Sequence, residues 1–259
     1  MVLGFLGVPI RFPFVCETRK GQKIHACNRF DLLTVWIIWL REEYTVDKQD
    51  KIILNRGANI GAFSVYASGI ALDARIFGVE PFPSTFLQFA ENIGLNRLET
   101  RVDCIPFGLS SADGGGYMET SEYLPSQSHY VVSAPDRTTI PVPMLSLSSL
   151  MNRFSIQKAD LLKMDIEGSE HDVLLATHPD VLARFERISL EYHHSGPKET
   201  LFSHIDRAGF VLRRDRVLGK NYGVAEFVRR RAAHWQQPAH SAIWYRRGQP
   251  QKYSTQAQL

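Results

Sequence analysis

The N-terminal part of the chain begins with the alternation of apolar and other residues that is typical of a strand. Ile10, Phe12 and Phe14 follow this alternation, and residues 20–22 (Lys-Gly-Gln) have the composition of a turn. Residues 23–26 come next and can pair back onto the first segment. The pattern therefore predicts an N-terminal β-hairpin.

Helical spacing of apolar residues begins directly after this hairpin. Asp31 stands where an N-cap is expected. The apolar residues that follow it at helical intervals are Leu32, Val35, Trp36, Trp39 and Leu40. This apolar run is far shorter than the roughly 20 residues that cross a bilayer, so a buried helix is the better interpretation. We expect residues 1–45 to form a hairpin and a helix that pack on the core.

Short buried strands alternate with helical segments from residue 51 onward. Strands are predicted at residues 51–54, 75–79, 101–105, 160–164, 187–191, 210–212, 223–229 and 242–246. Helices are predicted at residues 62–72, 83–96, 146–154 and 198–208, and also through Val173. This alternation predicts an α/β fold with a mostly parallel sheet, in which ligands bind beyond the carboxyl ends of the strands.

Residues 110–143 interrupt the alternation with a segment that is rich in Gly, Ser and Pro. A connection of this length inside a compact domain is usually functional or disordered. We predict that residues 117–120 pair with residues 138–142 as a hairpin. The whole segment is then a lid-like insertion in a domain that spans residues 46–248, and the polar residues 249–259 form a flexible tail.

Composition and charge exclude several classes of protein. Apolar residues make up 44% and charged residues 22% of the 259 residues, which is typical of a globular protein. The net charge is only +3, and we interpret the basic run 229–231 as a solvated strand end, so we expect no nucleic-acid partner. Three cysteines without a Cys-x-x-Cys spacing indicate a reducing compartment. Residues 1–10 lack the features of a secretion signal, and we expect a cytoplasmic protein.

A glycine-containing turn follows the predicted strand 51–54. Gly57 and Gly61 flank Asn59, and glycines let the backbone approach a ligand while the next helix offers free N–H groups. Glu80 ends the next strand, where a carboxylate can accept hydrogen bonds from ribose hydroxyls. Taken singly, these features also fit an unliganded turn and a water-facing carboxylate. Together they predict a site for a nucleoside-bearing ligand, either NAD or S-adenosylmethionine.

Two carboxylates follow the predicted strand 160–164 and are expected to face the same cleft. Asp165 can contact the amino group of a methyl donor or orient an acceptor, and Glu167 can do either or take a proton. Glu170 comes later and is better placed to stabilise the first turn of the next helix, where an anion is favourable.

A histidine follows the predicted strand 187–191. The ordinary pKa of a histidine is near neutral, so His193 is suited to act as a general base, although a surface histidine is an equally open interpretation. Asp165, Glu167, Glu191 and His193 can converge, and Mg²⁺ prefers oxygen ligands. Their spacing alone assigns no metal.

Three segments together resemble the FkbM-type methyltransferases. The first is residues 57–64 (Gly-Ala-Asn-Ile-Gly-Ala-Phe-Ser), and the second is residues 79–81 (Val-Glu-Pro) with the helix that ends in residues 91–96 (Glu-Asn-Ile-Gly-Leu-Asn). The third and most specific is residues 162–170 (Leu-Lys-Met-Asp-Ile-Glu-Gly-Ser-Glu). Their order and spacing agree with the family from about residue 31 to about residue 214.

This resemblance implies a Rossmann-like methyltransferase fold, with a mostly parallel seven-stranded sheet and helices on both faces. It also implies S-adenosylmethionine as donor and O-methylation of a hydroxyl on a sugar, a glycan or a small natural-product-like acceptor. The expected donor-binding residues are Asn55, Gly57, Ala58, Asn59, Gly61, Glu80, Phe107 and Asp165. The expected catalytic residues are His193, Glu167 and Asp165. In the lid-like insertion, the residues expected to stack on the acceptor are Tyr117, Tyr123, His129 and Tyr130.

The chain departs from the family pattern at a few positions. Asn55 and Arg56 stand where an aspartate and a small apolar residue are usual, and Leu147-Ser148 replaces a Leu-Asp pair. An aspartate at position 55 helps to position the ammonium group of the donor, whereas asparagine keeps an acceptor and loses the charge. A non-catalytic binding protein therefore stays open as an alternative. An NAD-dependent oxidoreductase is less favoured, because it gives residues 165–170 no role.

Overall fold

A computed structural model describes residues 11–119, 131–132 and 138–230 of the chain. Its strands are β1 Phe14–Glu17, β2 Lys23–Ala26, β3 Ile52–Arg56, β4 Arg75–Val79, β5 Val102–Ile105, β6 Gly108–Leu109, β7 Gly114–Glu119, β8 Val131–Val132, β9 Thr139–Leu145, β10 Ala159–Met164, β11 Phe185–Tyr192, β12 Phe210–Gly219 and β13 Tyr222–Arg229. Its helices are α1 Arg29–Trp39, α2 Ala62–Ser68, α3 Pro83–Leu95, α4 Leu147–Arg153, α5 Glu170–Ala176, α6 Pro179–Leu182 and α7 Lys198–Arg207.

Seven strands form one sheet in the order β12-β13-β11-β10-β3-β4-β5. Strands β11, β10, β3, β4 and β5 run parallel to one another, while β13 runs antiparallel to both β11 and β12. The chain winds outward from β3 to β5 and then returns to β10 on the other side of β3. The direction of winding therefore changes between β3 and β10, which is where open α/β sheets bind their ligands. The predicted α/β fold with a mostly parallel seven-stranded sheet is confirmed.

Helices cover both faces of this sheet because the central strands carry apolar side chains on both sides. Helices α1, α2 and α3 pack against one face, where Phe63 and Phe89 lie in the same buried cluster as Ile53. Helices α4 to α7 pack against the other face, where Leu174 shares a buried cluster with Leu162. A strand that is buried on both faces in this way is typical of parallel sheets.

The predicted N-terminal hairpin is present, since β1 pairs antiparallel with β2. The side chains of Asn92 and Asn96 on α3 accept the backbone N–H groups of His25 and Lys23, which ties the hairpin to the core. The expected N-cap of α1 is wrong. Asn28 has the extended backbone that a cap requires and accepts the N–H groups of the first turn, whereas Asp31 already lies within the helix.

The insertion at residues 110–143 contains the predicted hairpin. Strand β7 pairs antiparallel with β9, so that Tyr117 lies opposite Pro141 and Met118 opposite Ile140. Other predictions for this region fall outside the described residues. They concern the stacking side chains Tyr123, His129 and Tyr130.

The C-terminal strands differ from the expected ones in length. Strand β12 continues to Gly219, where the sequence predicted an end at Leu212, because β13 pairs with it along its whole length through two irregularities. Part of the basic run at the end of β13 is tied to the protein, since Arg229 donates to the Ala183 carbonyl and Arg230 pairs with Asp206. Arg231, the predicted strand 242–246 and the predicted tail lie outside the described residues.

Among the helices of the described residues, none combines the length and the hydropathy that a membrane crossing requires. The three cysteines of the chain, Cys16, Cys27 and Cys104, are free thiols.

Candidate active site

Two clefts open at the carboxyl ends of the central strands and meet between β3 and β10. The first cleft has a volume of about 650 Å³ and is lined by Arg56, Gly57, Asn59, Val79, Glu80, Pro81, Phe107, Gly108, Leu109, Met118, Asp165, Ile166, Glu167 and Ser169. The second cleft has a volume of about 1090 Å³ and is lined by Leu33, Thr34, Ile37, Ile38, Tyr44, Gly57, Ala58, Asn59, Phe63, Lys163, Asp165, Glu167, Glu191, His193, His194 and Tyr222. Four of these residues line both clefts, namely Gly57, Asn59, Asp165 and Glu167. Molecules bound in the two clefts would meet at these four residues.

The turn after β3 lies against the turn after β10. Gly57 has a φ of 72°, and a Cβ atom at this position would lie 1.7 Å from the backbone oxygen of Asp165. Only glycine therefore allows this approach of the two backbones. The Ala58 N–H donates to the Val79 carbonyl at 3.0 Å, which fixes the turn to the end of β4 as well.

Glu80 faces the first cleft and holds two backbone segments together. Its Oε2 accepts the Asn59 N–H at 2.9 Å, and its Oε1 accepts the Phe82 N–H at 3.0 Å. Burial raises the pKa of Glu80 to about 7, although both N–H groups favour the charged form. Each carboxylate oxygen keeps a further lone pair for a ligand hydroxyl.

Asn55 and Gly61 do not reach the first cleft, contrary to the expectation that they contact a donor. The Asn55 side chain is fully buried on the α2 side of the sheet, where its amide donates to the Ser64 hydroxyl at 3.0 Å. Gly61 caps α2 with a φ of 83° and packs against the Phe89 ring. Of the other expected donor residues, Phe107 lines the first cleft and Ala58 lines the second.

Lys163 contacts both turns, the one after β3 and the one after β10. Its Nζ lies 3.0 Å from the Gly57 carbonyl and 3.4 Å from Asp165 Oδ2, and it also lies 5.0 Å from the centre of the Tyr44 ring. The side chain is only 3% exposed. A buried cation with this set of partners holds the Asp165 carboxylate at the junction of the two clefts.

Tyr44 connects Asp165 to Glu191 on the next strand, and Tyr222 also contacts Glu191. The Tyr44 hydroxyl lies 3.1 Å from Asp165 Oδ2 and 2.6 Å from Glu191 Oε2, and the Tyr222 hydroxyl donates to Glu191 Oε1 at 2.9 Å. One hydroxyl proton cannot serve two carboxylates at once, so this arrangement favours a protonated carboxyl group. Burial and then the charge of Asp165 raise the pKa of Glu191 to about 7, although the hydrogen bonds from Tyr44 and Tyr222 favour its charged form.

His193 lies between two carboxylates at the edge of the second cleft. Its Nδ1 is 3.0 Å from Glu170 Oε1, and its Nε2 is 3.6 Å from Glu167 Oε2. Burial disfavours the imidazolium, yet the hydrogen bond and the charges of the carboxylates outweigh it and raise the pKa of His193 to about 9. This environment moves the pKa of His193 above the near-neutral value of an ordinary histidine. Burial and the charge of Asp165 also raise the pKa of Glu167, against the opposing effect of His193.

Glu170 has the structural position that the sequence favours, at the first turn of α5. Its carboxylate accepts the backbone N–H groups of Ile166 and Gly168 and contacts His193. The donor atoms of Asp165, Glu170 and His193 lie within 4.8 Å of one another. Spacing alone is weak evidence for a metal, and we assign none to this cluster.

We expect a pKa of about 9 for His193 when its ring protons are titrated by NMR in the ligand-free protein. Because this value exceeds that of an unfolded histidine, about 6.5, the associated stability is present below pH 6.5 and is lost as the pH rises to 9. Glu170→Gln should move the His193 pKa down toward 6.5, whereas Glu99→Gln, which changes an exposed carboxylate, should not. Backbone amide signals verify that each variant is folded. A wild-type pKa at or below 6.5 would contradict the ion pairs described above.

Helix α1 forms an apolar wall of the second cleft, a role that the sequence did not reveal. Leu33, Ile37 and Phe63 lie on this side, and the opposite side carries the carboxylates with His193 and Tyr222. The signal for Lys163 was present in the sequence as a charged residue inside a buried strand. Tyr44, which is 121 residues away from Asp165 along the chain, was not among the predicted site residues, although residues 41–44 resemble the family segment before the donor loop.

The segment that contains both turns matches a known family. The model of the methyltransferase FkbM domain matches residues 55–216, which run from the end of β3 into β12. The chain is 29% identical over 176 residues to the hexuronic acid methyltransferase AglP of Haloferax volcanii, and the match covers 64% of this chain and 68% of AglP. It is 26% identical over 232 residues to the AMB antimetabolite synthetase AmbE of Pseudomonas aeruginosa, covering 70% of this chain and 11% of AmbE.

A crystal structure of a methyltransferase FkbM from Methylobacillus flagellatus has a similar fold. It superposes with a TM-score of 0.50 at 15% sequence identity, over 75% of this chain and 47% of that chain. The chain thus spans about half of that structure and about a tenth of AmbE. The predicted Rossmann-like methyltransferase fold is confirmed.

Proposed function

Since the chain belongs to the methyltransferase FkbM domain family, we propose that it transfers a methyl group from S-adenosylmethionine to a hydroxyl of a sugar or of a small natural-product-like acceptor. The observation that carries this proposal is the junction of two clefts at Gly57, Asn59, Asp165 and Glu167. A two-substrate transfer needs a donor site and an acceptor site that meet where the group is passed on.

The first cleft fits the donor in chemistry. Glu80 offers free lone pairs for ribose hydroxyls, and Asp165 offers a carboxylate for an ammonium group. Phe107 supplies an aromatic surface in the same cleft for a purine ring. When bound there, the donor supplies a methyl group that its sulfonium activates.

The second cleft is the proposed acceptor site, and Glu167 is placed at its junction with the first. Transfer to a hydroxyl breaks the S–C bond, leaves its electron pair on sulfur and forms an O–C bond, so the hydroxyl proton must be taken up. We assign this proton to Glu167, in its carboxylate form, with His193 in the imidazolium form beside it at 3.6 Å. Because the two groups are close, their titrations belong to the pair rather than to either residue.

The similarity to AglP, which is described as a hexuronic acid methyltransferase, supports a sugar as acceptor. Carboxylates, tyrosines and histidines on one side of the second cleft suit hydroxyl groups, and the apolar side chains of α1 suit the less polar face of a ring. A contribution of the insertion to acceptor binding stays a prediction. Among its described residues, Met118 lines the first cleft.

S-adenosylmethionine and S-adenosylhomocysteine should each raise the melting temperature of the full chain by roughly 5–10 °C at a hundredfold excess over Kd, whereas NAD should not. Glu80→Gln should remove most of this shift, because its amide places an N–H group where the carboxylate accepts two N–H groups. The exposed Glu99→Gln is the matched control.

Turnover then separates an enzyme from a binding protein. S-adenosylhomocysteine release is measured with methyl glucuronoside, methyl glucoside and a phenol as acceptors. A rise in melting temperature with NAD, and with neither S-adenosyl compound, would contradict the proposed donor. A rise in melting temperature with S-adenosylmethionine and no release of S-adenosylhomocysteine with any hydroxyl acceptor would favour the non-catalytic binding protein.

A further inference from the structure

Arg56 is a fully buried cation that lines the first cleft. It is the last residue of β3, and its side chain lies on the opposite face of the sheet from that of Asn55. Alternation of side chains along a strand explains this difference between two neighbouring residues. The guanidinium group therefore lies buried on the side of the sheet that faces the first cleft.

The guanidinium of Arg56 has no hydrogen-bond partner in the part of the chain that the structure describes. This holds for Nε and for both Nη atoms. Other cations in the interior are satisfied: the buried Lys163 contacts carbonyls and Asp165, and the half-buried Arg101 donates to the carbonyls of Ser68, Ala71 and Ala74. A buried charge without a partner is strongly unfavourable, so Arg56 is an exception that calls for a ligand.

The chemistry of the group defines the ligand that it suits. A guanidinium is planar and presents five N–H donors in a fork that matches the two oxygens of a carboxylate. Burial lowers the pKa of Arg56 to about 9, so the group is still charged at neutral pH. Glu80, Asp165 and Glu167 line the same cleft, and none of them lies within hydrogen-bond distance of it.

We propose that Arg56 binds a carboxylate group in the first cleft, that of the methionine part of the donor or that of an acidic acceptor that extends from the second cleft past Gly57. This inference rests on the proposed function and identifies a residue that determines ligand specificity in the same site. The carboxylate is the one anionic group of S-adenosylmethionine, and Arg56 directly precedes Gly57, which lines both clefts. The carboxylate of a uronic acid has the same chemistry.

The donor arm of the test compares S-adenosylmethionine with decarboxylated S-adenosylmethionine by calorimetry. The wild type should bind the complete donor roughly 10–100-fold more tightly, as expected for a lost charge-assisted hydrogen bond. Arg56→Met should bind both ligands within about threefold of each other, because charge-assisted bonding is absent from the variant. Arg56→Lys keeps the charge but lacks the two-pronged guanidinium. Its ratio of the two dissociation constants should therefore lie between those of the wild type and Arg56→Met. Arg75→Met removes an exposed arginine at the far end of β4 and is the matched control.

The acceptor arm compares methyl glucuronoside with methyl glucoside, with and without S-adenosylhomocysteine. If the carboxylate belongs to the acceptor, Arg56→Met loses the preference for the glucuronoside and keeps the preference for the complete donor. The melting temperature of the ligand-free Arg56→Met variant should equal or exceed that of the wild type, because an unpartnered buried charge is removed. A purely structural role would instead lower this melting temperature.

The outcomes are distinguishable. The inference is overturned if Arg56→Met still prefers S-adenosylmethionine over its decarboxylated form, and methyl glucuronoside over methyl glucoside, as strongly as the wild type does. Failure of the wild type to bind either donor contradicts the proposed function, and the acceptor arm without a donor then decides the role of Arg56.

Discussion

Replacing Gly57 with alanine is expected to abolish binding of S-adenosylmethionine while leaving a folded protein. The Cβ atom would lie 1.7 Å from the backbone oxygen of Asp165, and the residue would keep a left-handed φ of 72°. Overpacking and the left-handed backbone together should lower the free energy of unfolding by roughly 2–5 kcal/mol. The turns after β3 and β10 must then separate, which displaces Asp165 from the junction of the clefts.

The measurements are the free energy of unfolding in urea and the Kd of S-adenosylhomocysteine. We expect the affinity to fall by about 100-fold or more, since contacts to charged groups of the ligand are lost. Gly168→Ala and Gly115→Ala separate the effect of the left-handed backbone from the effect of the steric overlap. Gly168 has a left-handed φ of 98° and Gly115 does not, and neither has an atom within 4 Å of its would-be Cβ.

Gly168→Ala should therefore lose stability by the backbone effect alone, roughly 1–2 kcal/mol. Gly115→Ala should lose neither stability nor affinity to a comparable degree. An affinity of Gly57→Ala within threefold of the wild type would mean that the contact of the two turns is not needed for donor binding.

Much of the site was predictable because it follows from the topology of the sheet. Glu80, Asp165 and His193 each come directly after a predicted strand, and the parallel arrangement brings the carboxyl ends of those strands to one edge. Their approach to one another needed only the order of the strands. The seven-stranded sheet was likewise predictable from the alternation of strands and helices, with the family resemblance.

Other features depend on which side of a strand faces the ligand. The sequence favoured Asn55 as a donor contact, but successive side chains of β3 point to opposite faces, and Arg56 is the one on the side of the first cleft. The periodicity of a strand buried on both faces does not identify the face that carries the cleft. The pKa of His193 was also unpredictable, because it depends on Glu170, which only the fold brings to 3.0 Å.

Glu167→Gln is expected to lower kcat by roughly 10²–10⁴-fold, the usual contribution of a general base, while changing the Kd of S-adenosylhomocysteine by less than about threefold. The amide has the shape of the carboxylate and cannot accept a proton. The assay is S-adenosylhomocysteine release with a hydroxyl acceptor that the wild type methylates. The exposed Glu99→Gln is again the control, and an unchanged kcat in Glu167→Gln would exclude this residue as the base.

The pH profile decides between Glu167 and His193. A base acts in its unprotonated form, so the rate rises as the pH passes the pKa of the base. Burial raises the pKa of Glu167 well above the value of 4–5 at which an ordinary glutamate ionises. The imidazolium of His193 stabilises the carboxylate. If Glu167 is the base, His193→Gln therefore shifts the profile to higher pH and restores much of the rate in alkaline solution. If His193 is the base, the wild-type rate rises through about pH 9, and His193→Gln is inactive at every pH. If neither substitution lowers turnover, both assignments are wrong and the proton leaves the acceptor by another route.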